Sequence, residues 1–480
     1  VIDAGRDCMV LSRDRMGERR AFYAIDAGAV AFADHPDLLL EAGAARPVVD
    51  EEGLRELFGL GPARTPGKTP WRDMKALEPG CALLARGSHV CVRRYFGLAP
   101  EAHVHDAEQT VKNVREMLES AVDLIVPLAP ACMLSGGIDS TALTALFRQR
   151  VDHVETFSID YEGNDRHFRG TAFQPERDEP YIELAVKRLG ATHHRVLLSQ
   201  EELAQALEEA VDARGFPGMA DVDSSLLLFA KRIAPHARFA LSGECGDEVF
   251  GGYPWFRDAR SLSAEAFAWS GSMDAREGVL KKDVREKLKL RAYVRDAVAR
   301  AVSQVEHLPG ESAQNKCLRT MQHMCFAYFM ANLQERADCM CARAGVEVLT
   351  PFSDERLVQY VYNVPWEMKF LGGREKGLLR AAVGNLLPEA LRYRKKSPYP
   401  KTCDPRYARI VSAMTQDMLS DKGSPLLELI DAQAVGTLAK GELSATDAPW
   451  FGQLMAGPQM LAYLWQVNAW LRARHAQIIL

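Results

Sequence analysis

Several features are missing from this chain of 480 residues, and each absence removes a class of function. No apolar run approaches the ~20 residues a membrane span needs, so no membrane partner is expected. There is no basic surplus. Lys and Arg number 59 against 64 Asp and Glu, a net charge of −5, so neither a nucleic-acid surface nor a polybasic membrane patch is expected. The ten cysteines form no disulfide framework. The nearest pair, Cys339 and Cys341, is C-x-C and not a zinc spacing. Reduced thiols in a cytoplasmic protein are the expectation. Val1 to Arg6 has neither the basic start nor the apolar segment of a signal peptide. No methionine opens the sequence, and further residues before Val1 are expected.

What is present fits a globular protein. Hydrophobic residues make up 47% and charged residues 26%, and the length is too great for one core, so two or three domains are expected. The chain is organised around Ala131-Cys-Met-Leu-Ser-Gly-Gly-Ile-Asp-Ser140. An apolar run ends at Leu134, and Thr141 to Phe147 has apolar residues at helical spacing. That reads as buried strand, tight loop, helix. Ser135, Gly136 and Gly137 let a polyanion approach backbone N–H groups at the positive end of the helix. Ser140 can donate to a phosphate. Asp139 can cap the helix or hold a divalent cation. The spacing Gly-x-x-x-x-Gly-Lys-Ser/Thr of a Walker A loop is absent.

A second cluster is Leu241-Ser-Gly-Glu-Cys-Gly-Asp-Glu-Val-Phe-Gly-Gly-Tyr253. A strand ends at Ser242, and Glu244, Asp247 and Glu248 follow. These would repel one another if buried together, unless a cation or a proton intervenes. The alternative is a solvated acidic turn. Asp139 and Asp247 together suit a divalent ion at a triphosphate. A third cluster is basic: Arg374 to Arg380, then Arg392-Tyr-Arg-Lys-Lys-Ser-Pro-Tyr-Pro-Lys-Thr402. A charge run is usually a solvated face, but Pro398 and Pro400 stiffen this one. Asp221 to Ser225 reads as a capping run with spare acidic groups before an apolar helix, or as a segment facing the substrate. The His193-His194 pair could suggest a metal, but a paired His-His at a strand start is more often structural. Met321 to Arg336 reads as core.

Short strands separated by turn residues fill the first hundred positions: Cys8 onward, Ala21–Ile25, Val30–Ala33, Cys81–Leu84 and His89–Tyr95, with a helix at Glu51–Gly59. They indicate an antiparallel layer. Asp106 to Val126 reads as an amphipathic helix with Asp106 as N-cap. Apolar runs and helical segments then alternate, with strands at Cys132–Leu134, Val154–Ile159, His194–Leu198 and Phe239–Ser242. Helices are expected from Ser140, at Tyr181–Leu189 and at Glu201–Val211. This argues a doubly wound parallel sheet, with ligands beyond the carboxyl ends of its strands. The chain after Leu308 is mostly helical.

Four motifs in order resemble the class B, glutamine-hydrolysing asparagine synthetases. SGGIDS is similar to that family's pyrophosphate loop, SGECGDEVFGGY to its acidic signature, and Thr350-Pro-Phe-Ser-Asp354 to its VPFLD segment. Arg394 and Lys396 fit its R-x-K. The stretches LSRDRMGERRAFYA, DEEGLRELFGLGPARTPG and LEPGCALL resemble the later part of its glutaminase domain. The resemblance implies an α/β protein in two parts. Residues 1–105 are the C-terminal part of an N-terminal-nucleophile-type glutaminase domain, with antiparallel β layers. Residues 106–480 are an ATP-pyrophosphatase synthetase domain with a doubly wound parallel sheet and C-terminal helices. The family's nucleophile is an N-terminal cysteine. Cys8 is internal and reads as a strand cysteine.

By the same resemblance ATP and Mg²⁺ are expected. The ATP would lie on Leu134, Ser135, Gly136, Gly137, Asp139, Ser140, Ser158, Ile159, Ser242 and Gly243, with the metal on Asp139 and Asp247. Glu244, Arg394 and Lys396 are the expected catalytic residues. Lys396 and Arg394 would stabilise pyrophosphate, and Glu244 would act on the nucleophile. The implied reaction is amidation of a carboxylic acid, aspartate first, with nitrogen from glutamine or ammonia. A homodimer is carried as an expectation. Amidation of another acid, such as a cell-wall diaminopimelate or a biosynthetic intermediate, and ring closure use the same scaffold. RNA thiolation would want a reactive cysteine pair and a basic surface. A pseudoenzyme would not fill every acidic and basic position. Ser353 stands where the family has Leu, and Leu349-Thr350 where it has Arg-Val.

Overall fold

The computed structural model describes every residue except 4, 6, 7, 27, 171–173, 259, 260, 442 and 444–447. Two antiparallel sheets occupy the first hundred residues. One joins Ile2–Asp3, Cys8–Ser12, Cys81–Arg86 and His89–Arg94 in that order. The other joins Ala29–Ala33, Phe22–Asp26 and Lys75–Ala76. Strand alternation sends Cys81 and Leu83 to one side, into a small core with Ala21, Tyr23 and Leu77. Cys8 is half-buried within its strand and pairs in register with Arg86. Glu51–Gly59 is helical as expected, but only Glu51–Arg55 is an α-helix, and a π-turn over Glu56–Leu60 continues it.

The sheet that positions the site has five strands, all parallel. Their spatial order is Thr192–Leu198, Glu155–Tyr161, Ala131–Met133, Phe239–Leu241 and Glu347–Leu349. Alternation along the central strand feeds two cores. Ala131 joins one apolar cluster and Cys132 the other, and Ala240 and Leu241 divide in the same way. The first three strands step outward from Ala131–Met133 on one side, and the last two lie on the other. The switch point is therefore the carboxyl end of the central strand, where a crevice opens.

Helix Ala107–Ile125 begins at Asp106, whose carboxylate accepts from the Gln109 amide, and it buries Val114, Leu118 and Ala121. Other boundaries differ from expectation. The helix after the glycine loop starts at Ile138, with Gly137 as its N-cap, so Asp139 lies inside the first turn and caps nothing. The segment expected as one helix over Glu201–Val211 is two, Gln200–Gln205 and Leu207–Arg214, joined at Ala206. Asp221–Ser225 is the first turn of helix Asp221–Ile233 and not a cap before it. The reason is ionic, since Asp223 is buried and faces two arginines. Strand Glu347–Leu349 was not anticipated.

The chain's end returns to its beginning. Gln477–Ile478 pairs with Val48–Val49, and Trp470 lies on Trp71 with ring centroids 4.3 Å apart. Both tryptophans are in the larger core, which joins the N-terminal layers to the parallel sheet. None of the ten cysteines is in a disulfide, and six of them are buried. Among the described residues no helix is long and apolar enough to cross a membrane.

Candidate active site at the sheet switch point

Two loops leave adjacent strands and meet. The first, after Ala131–Met133, is closed by its own hydroxyls: Ser140 Oγ accepts from the Ser135 amide at 3.1 Å and lies 3.0 Å from Ser135 Oγ. Gly136 has φ +69°, and a Cβ there would come within 2.9 Å of both the Ile182 amide and Tyr181 Cβ. Only glycine fits without strain. The second loop, after Phe239–Leu241, packs against the first. A Cβ on Gly246 would sit 2.7 Å from Asp139 Oδ1. Cys245, next to it, is a non-glycine residue at φ +73°. Such backbone strain persists where the surroundings over-determine it.

The packing brings Asp139 and Asp247 together around Lys376. Its Nζ pairs with Asp139 Oδ2 and lies 2.6 Å from Asp247 Oδ1. Lys396 Nζ lies 2.8 Å from Asp247 Oδ2. Burial works against the Lys376 ammonium, but the two carboxylates outweigh it and raise its pKa. At Asp247 burial is outweighed by Lys376 and Lys396, and the pKa falls; at Asp139 burial prevails and the pKa rises. Lys376 is itself a non-glycine residue at positive φ, 53°. Asp139 Oδ1 is buried, with no hydrogen-bond partner among the described residues.

Each member of the acidic cluster is neutralised differently. Asp247 has two ammonium groups. Glu244 has Arg336, with Nη1 3.4 Å from Oε1. Glu248 has a proton: burial, then Asp247 and Glu244, push its pKa up to about 8, and Tyr253 Oη donates to it at 2.8 Å. Burial also raises the Glu244 pKa, against the pull of Arg336. The expected repulsion is thus resolved by cations at two positions and a proton at the third.

Arg394 and Lys396 arrive from the stiff loop after Arg392. Arg394 pairs with Asp178, donates to the Ser135 carbonyl at 3.2 Å and lies 4.1 Å over the Tyr181 ring. It therefore braces the glycine loop from outside, and Lys396 reaches the acidic pair. Leu134, Ser135, Gly137, Asp139, Ser140, Ser158, Ile159, Ser242, Gly243, Glu244, Asp247, Arg394 and Lys396 all line one cavity of about 190 Å³. Of the anticipated residues only Gly136 is not in its wall. Ser158 Oγ lies 3.0 Å from His193 Nε2, and Thr156 Oγ1 lies 2.9 Å from His193 Nδ1, so His193 is structural.

Two ion-pair partners of the acidic cluster, Lys376 and Arg336, also line the wall and were not singled out by the sequence. Lys376 lies in the Arg374–Arg380 segment, where nothing separates it from its basic neighbours. Arg336 stands in a helix whose apolar face reads as core. A charge on such a face was the available signal. Arg336 begins a row of buried ions of alternating sign. Its Nε lies 3.4 Å from Asp223 Oδ1. Asp223 Oδ2 is 3.3 Å from Arg214 Nη1, and Arg214 Nε is 3.1 Å from Glu335 Oε1. Glu335 also pairs with Arg64. The row ends at a second cavity, of about 170 Å³, walled by Arg13, Arg64, Arg214 and Glu335, where the N-terminal sheets meet the helices.

Comparison with known proteins agrees with this arrangement. The asparagine synthase family model matches residues 113–472, and the glutamine amidotransferase domain model matches residues 1–96. The chain belongs to the asparagine synthase family. Among its relatives, asparagine synthetase (glutamine-hydrolyzing) 3 of Bacillus subtilis (strain 168) is 41% identical over all of this chain and 79% of its own length. A putative asparagine synthetase (glutamine-hydrolyzing) of Mycobacterium tuberculosis is 26% identical over 81% of this chain and 64% of its own length. Amidase chyE of Penicillium rubens is 26% identical over 79% of this chain and 66% of its own length. The chain thus spans about four fifths of the first relative and about two thirds of the others.

Proposed function

We propose that this protein makes an amide from a carboxylic acid, aspartate first, by way of an acyl-adenylate, releasing AMP and pyrophosphate. The nitrogen is ammonia, free or drawn from glutamine. Residues 1–105 are the glutaminase part and 106–480 the synthetase part. The proposal includes Mg²⁺ as the metal, the cytoplasm as the location and a homodimer as the assembly, all three on family grounds. One observation carries the chemistry. A glycine loop and an acidic loop meet at the switch point, with two ammonium groups on the acidic side and the Glu244–Arg336 pair in the same cavity.

Asp139 and Asp247 are hard oxygen donors that suit Mg²⁺, and Asp139 Oδ1 is a buried oxygen without a hydrogen-bond partner among the described residues. When bound, the metal neutralises phosphate charge. The rest is done by the chain. Amides of the Ser135–Ser140 loop and the start of helix Ile138–Arg148 take phosphate oxygens. The acid's oxygen attacks the α-phosphorus, and the bond to pyrophosphate breaks. Lys396 stands where charge builds on the leaving group. Ammonia then attacks the acyl carbon, AMP leaves, and the nitrogen loses a proton. Glu244 is the nearby base. Arg336 pairs with its carboxylate, and burial raises its pKa against that pull.

Leu349, Thr350 and Ser353 depart from the family pattern but lie outside the cavity wall, which favours aspartate over a different acid. The test is pyrophosphate release with free ammonia across a panel of acids. Aspartate-dependent release with matching asparagine is the expected result. Release with another acid alone would overturn the substrate assignment.

A further inference from the structure

The far end of the parallel sheet holds a cluster that the proposed reaction does not use. Glu155 opens strand Glu155–Tyr161, and Phe157, two residues on, lies on the same face. His194 is the register partner of Phe157 on the neighbouring strand, so its side chain is on that face too. Phe157 stacks on His194, with centroids 4.5 Å apart and planes at 13°, which fixes the imidazole plane. His236 comes from the turn after helix Asp221–Ile233, where its amide donates to the Ile233 carbonyl at 2.8 Å. The turn lays its ring over the same face, 4.6 Å from that of His194.

Glu155 Oε2 lies 3.6 Å from His194 Nε2 and 3.4 Å from His236 Nδ1. All three donor atoms are within 4.8 Å of one another. His194 Nε2 is shut off from solvent and has no hydrogen-bond partner among the described residues. Bonds of ~2.0–2.1 Å to a tetrahedral zinc put ligand atoms ~3.3 Å apart. The two Glu155 separations need only a few tenths of an ångström of closure.

We propose that Glu155, His194 and His236 form a site for a divalent cation of the zinc type. Two imidazoles and one carboxylate select a borderline d-block ion over Mg²⁺ or Ca²⁺. His236 is exposed on one side, so water completes the coordination. The bound ion ties the carboxyl end of helix Asp221–Ile233 to two strands of the sheet. That helix carries Asp223, the partner of Arg336, in its first turn, so the ion braces an element of the active site from its far end.

The test uses the full chain in a Cys91→Ser background, which removes the exposed thiol. The protein is stripped with chelator and titrated with Zn²⁺ alone against a chromophoric chelator. The expected result is one equivalent more for the parent than for His236→Ala or Glu155→Gln. Zn²⁺ should also raise the parent's unfolding temperature by several degrees, with no such rise for either variant and none with Mg²⁺. His236 lies at the surface, so His236→Ala remains readable if a His194 variant fails to fold. Equal stoichiometry and equal thermal shifts in parent and variants would overturn the site, leaving a salt bridge of ordinary surface kind.

Discussion

Lys376 Nζ lies 2.6 Å from Asp247 Oδ1 and pairs with Asp139 Oδ2 as well, so one ammonium bridges the carboxylates of two loops. Removing it leaves two buried acids facing each other, with Lys396 still paired to Asp247. Breaking a buried pair by deleting one partner costs ~3–5 kcal/mol. Lys376→Met should therefore lower the unfolding free energy measured by urea titration by an amount of that order, and Lys376→Met with Asp247→Asn should recover part of the loss. Asp139→Asn keeps the fold, because Asp247 still holds Lys376, and should abolish acid-dependent pyrophosphate release. Turnover like the parent's in Asp247→Asn would remove that residue from the site.

The placements of Lys396 and Glu244 predict different kinetic defects. Lys396 reaches Asp247 beside the glycine loop, and Glu244 faces Arg336. Lys396→Ala should suppress pyrophosphate release by up to ~2.7–4 kcal/mol, the loss seen when one preorganised transition-state donor is removed. Glu244→Gln should impair amide formation most, so that the adenylate decays in water. Pyrophosphate without matching amide is the signature in a coupled assay. A fall in both products by one factor, in both variants, would place the two residues in a single ATP-binding unit.

The loops could be read because each follows a strand whose apolar alternation is plain and each carries glycines that the packing requires, as at Gly136. The helix at Ala107–Ile125 could be read from its cap and its face. Other elements left no local signal. Strand Glu347–Leu349 is three residues long, too short to show a period of two, and only pairing with Phe239–Leu241 makes it a strand. Arg336 and Lys376 gain meaning from partners about 90–240 positions away. Asp223 looked like a cap because sequence shows its neighbours and not Arg214 and Arg336, which draw it inside. The break at Ala206 has no equivalent signal, since the segment keeps good helix formers throughout.

The departures from the family pattern at Thr350 and Ser353 face the N-terminal layers. Ser353 Oγ donates to Glu18 Oε1, and Thr350 Oγ1 lies 3.5 Å from the same oxygen. Arg19, next to Glu18, pairs with Asp338 and Glu347. Leucine at position 353 could not donate. The bond is worth about 0.5–1.5 kcal/mol, since the rest of Glu18 is exposed. In a double-mutant cycle of Ser353→Ala and Glu18→Ala, measured by urea unfolding, the two changes should couple by roughly that amount. Additive losses would mean that the hydroxyls do not hold the turn.

Glu248 makes stability depend on pH in a direction that can be worked out. Its folded pKa is about 8, against an ordinary 4.5, because burial and then the charges of Asp247 and Glu244 disfavour the anion. Below 4.5 both folded and unfolded states hold the proton, and Glu248 contributes nothing to the slope. Between 4.5 and 8 the folded state keeps a proton that the unfolded state releases, so stability falls as pH rises, by up to ~1.4 kcal/mol per pH unit. Above 8 the folded state also ionises, and the full loss is in place. Glu248→Gln retains an oxygen that can accept from Tyr253 and has no proton to exchange. Compared with the parent, the variant should gain stability steadily from pH 5 to pH 8, and the difference should then level off. Urea midpoints at several pH values across that window measure it. A constant difference between parent and variant would mean that Glu248 is already ionised in the folded protein, with Tyr253 donating to a carboxylate.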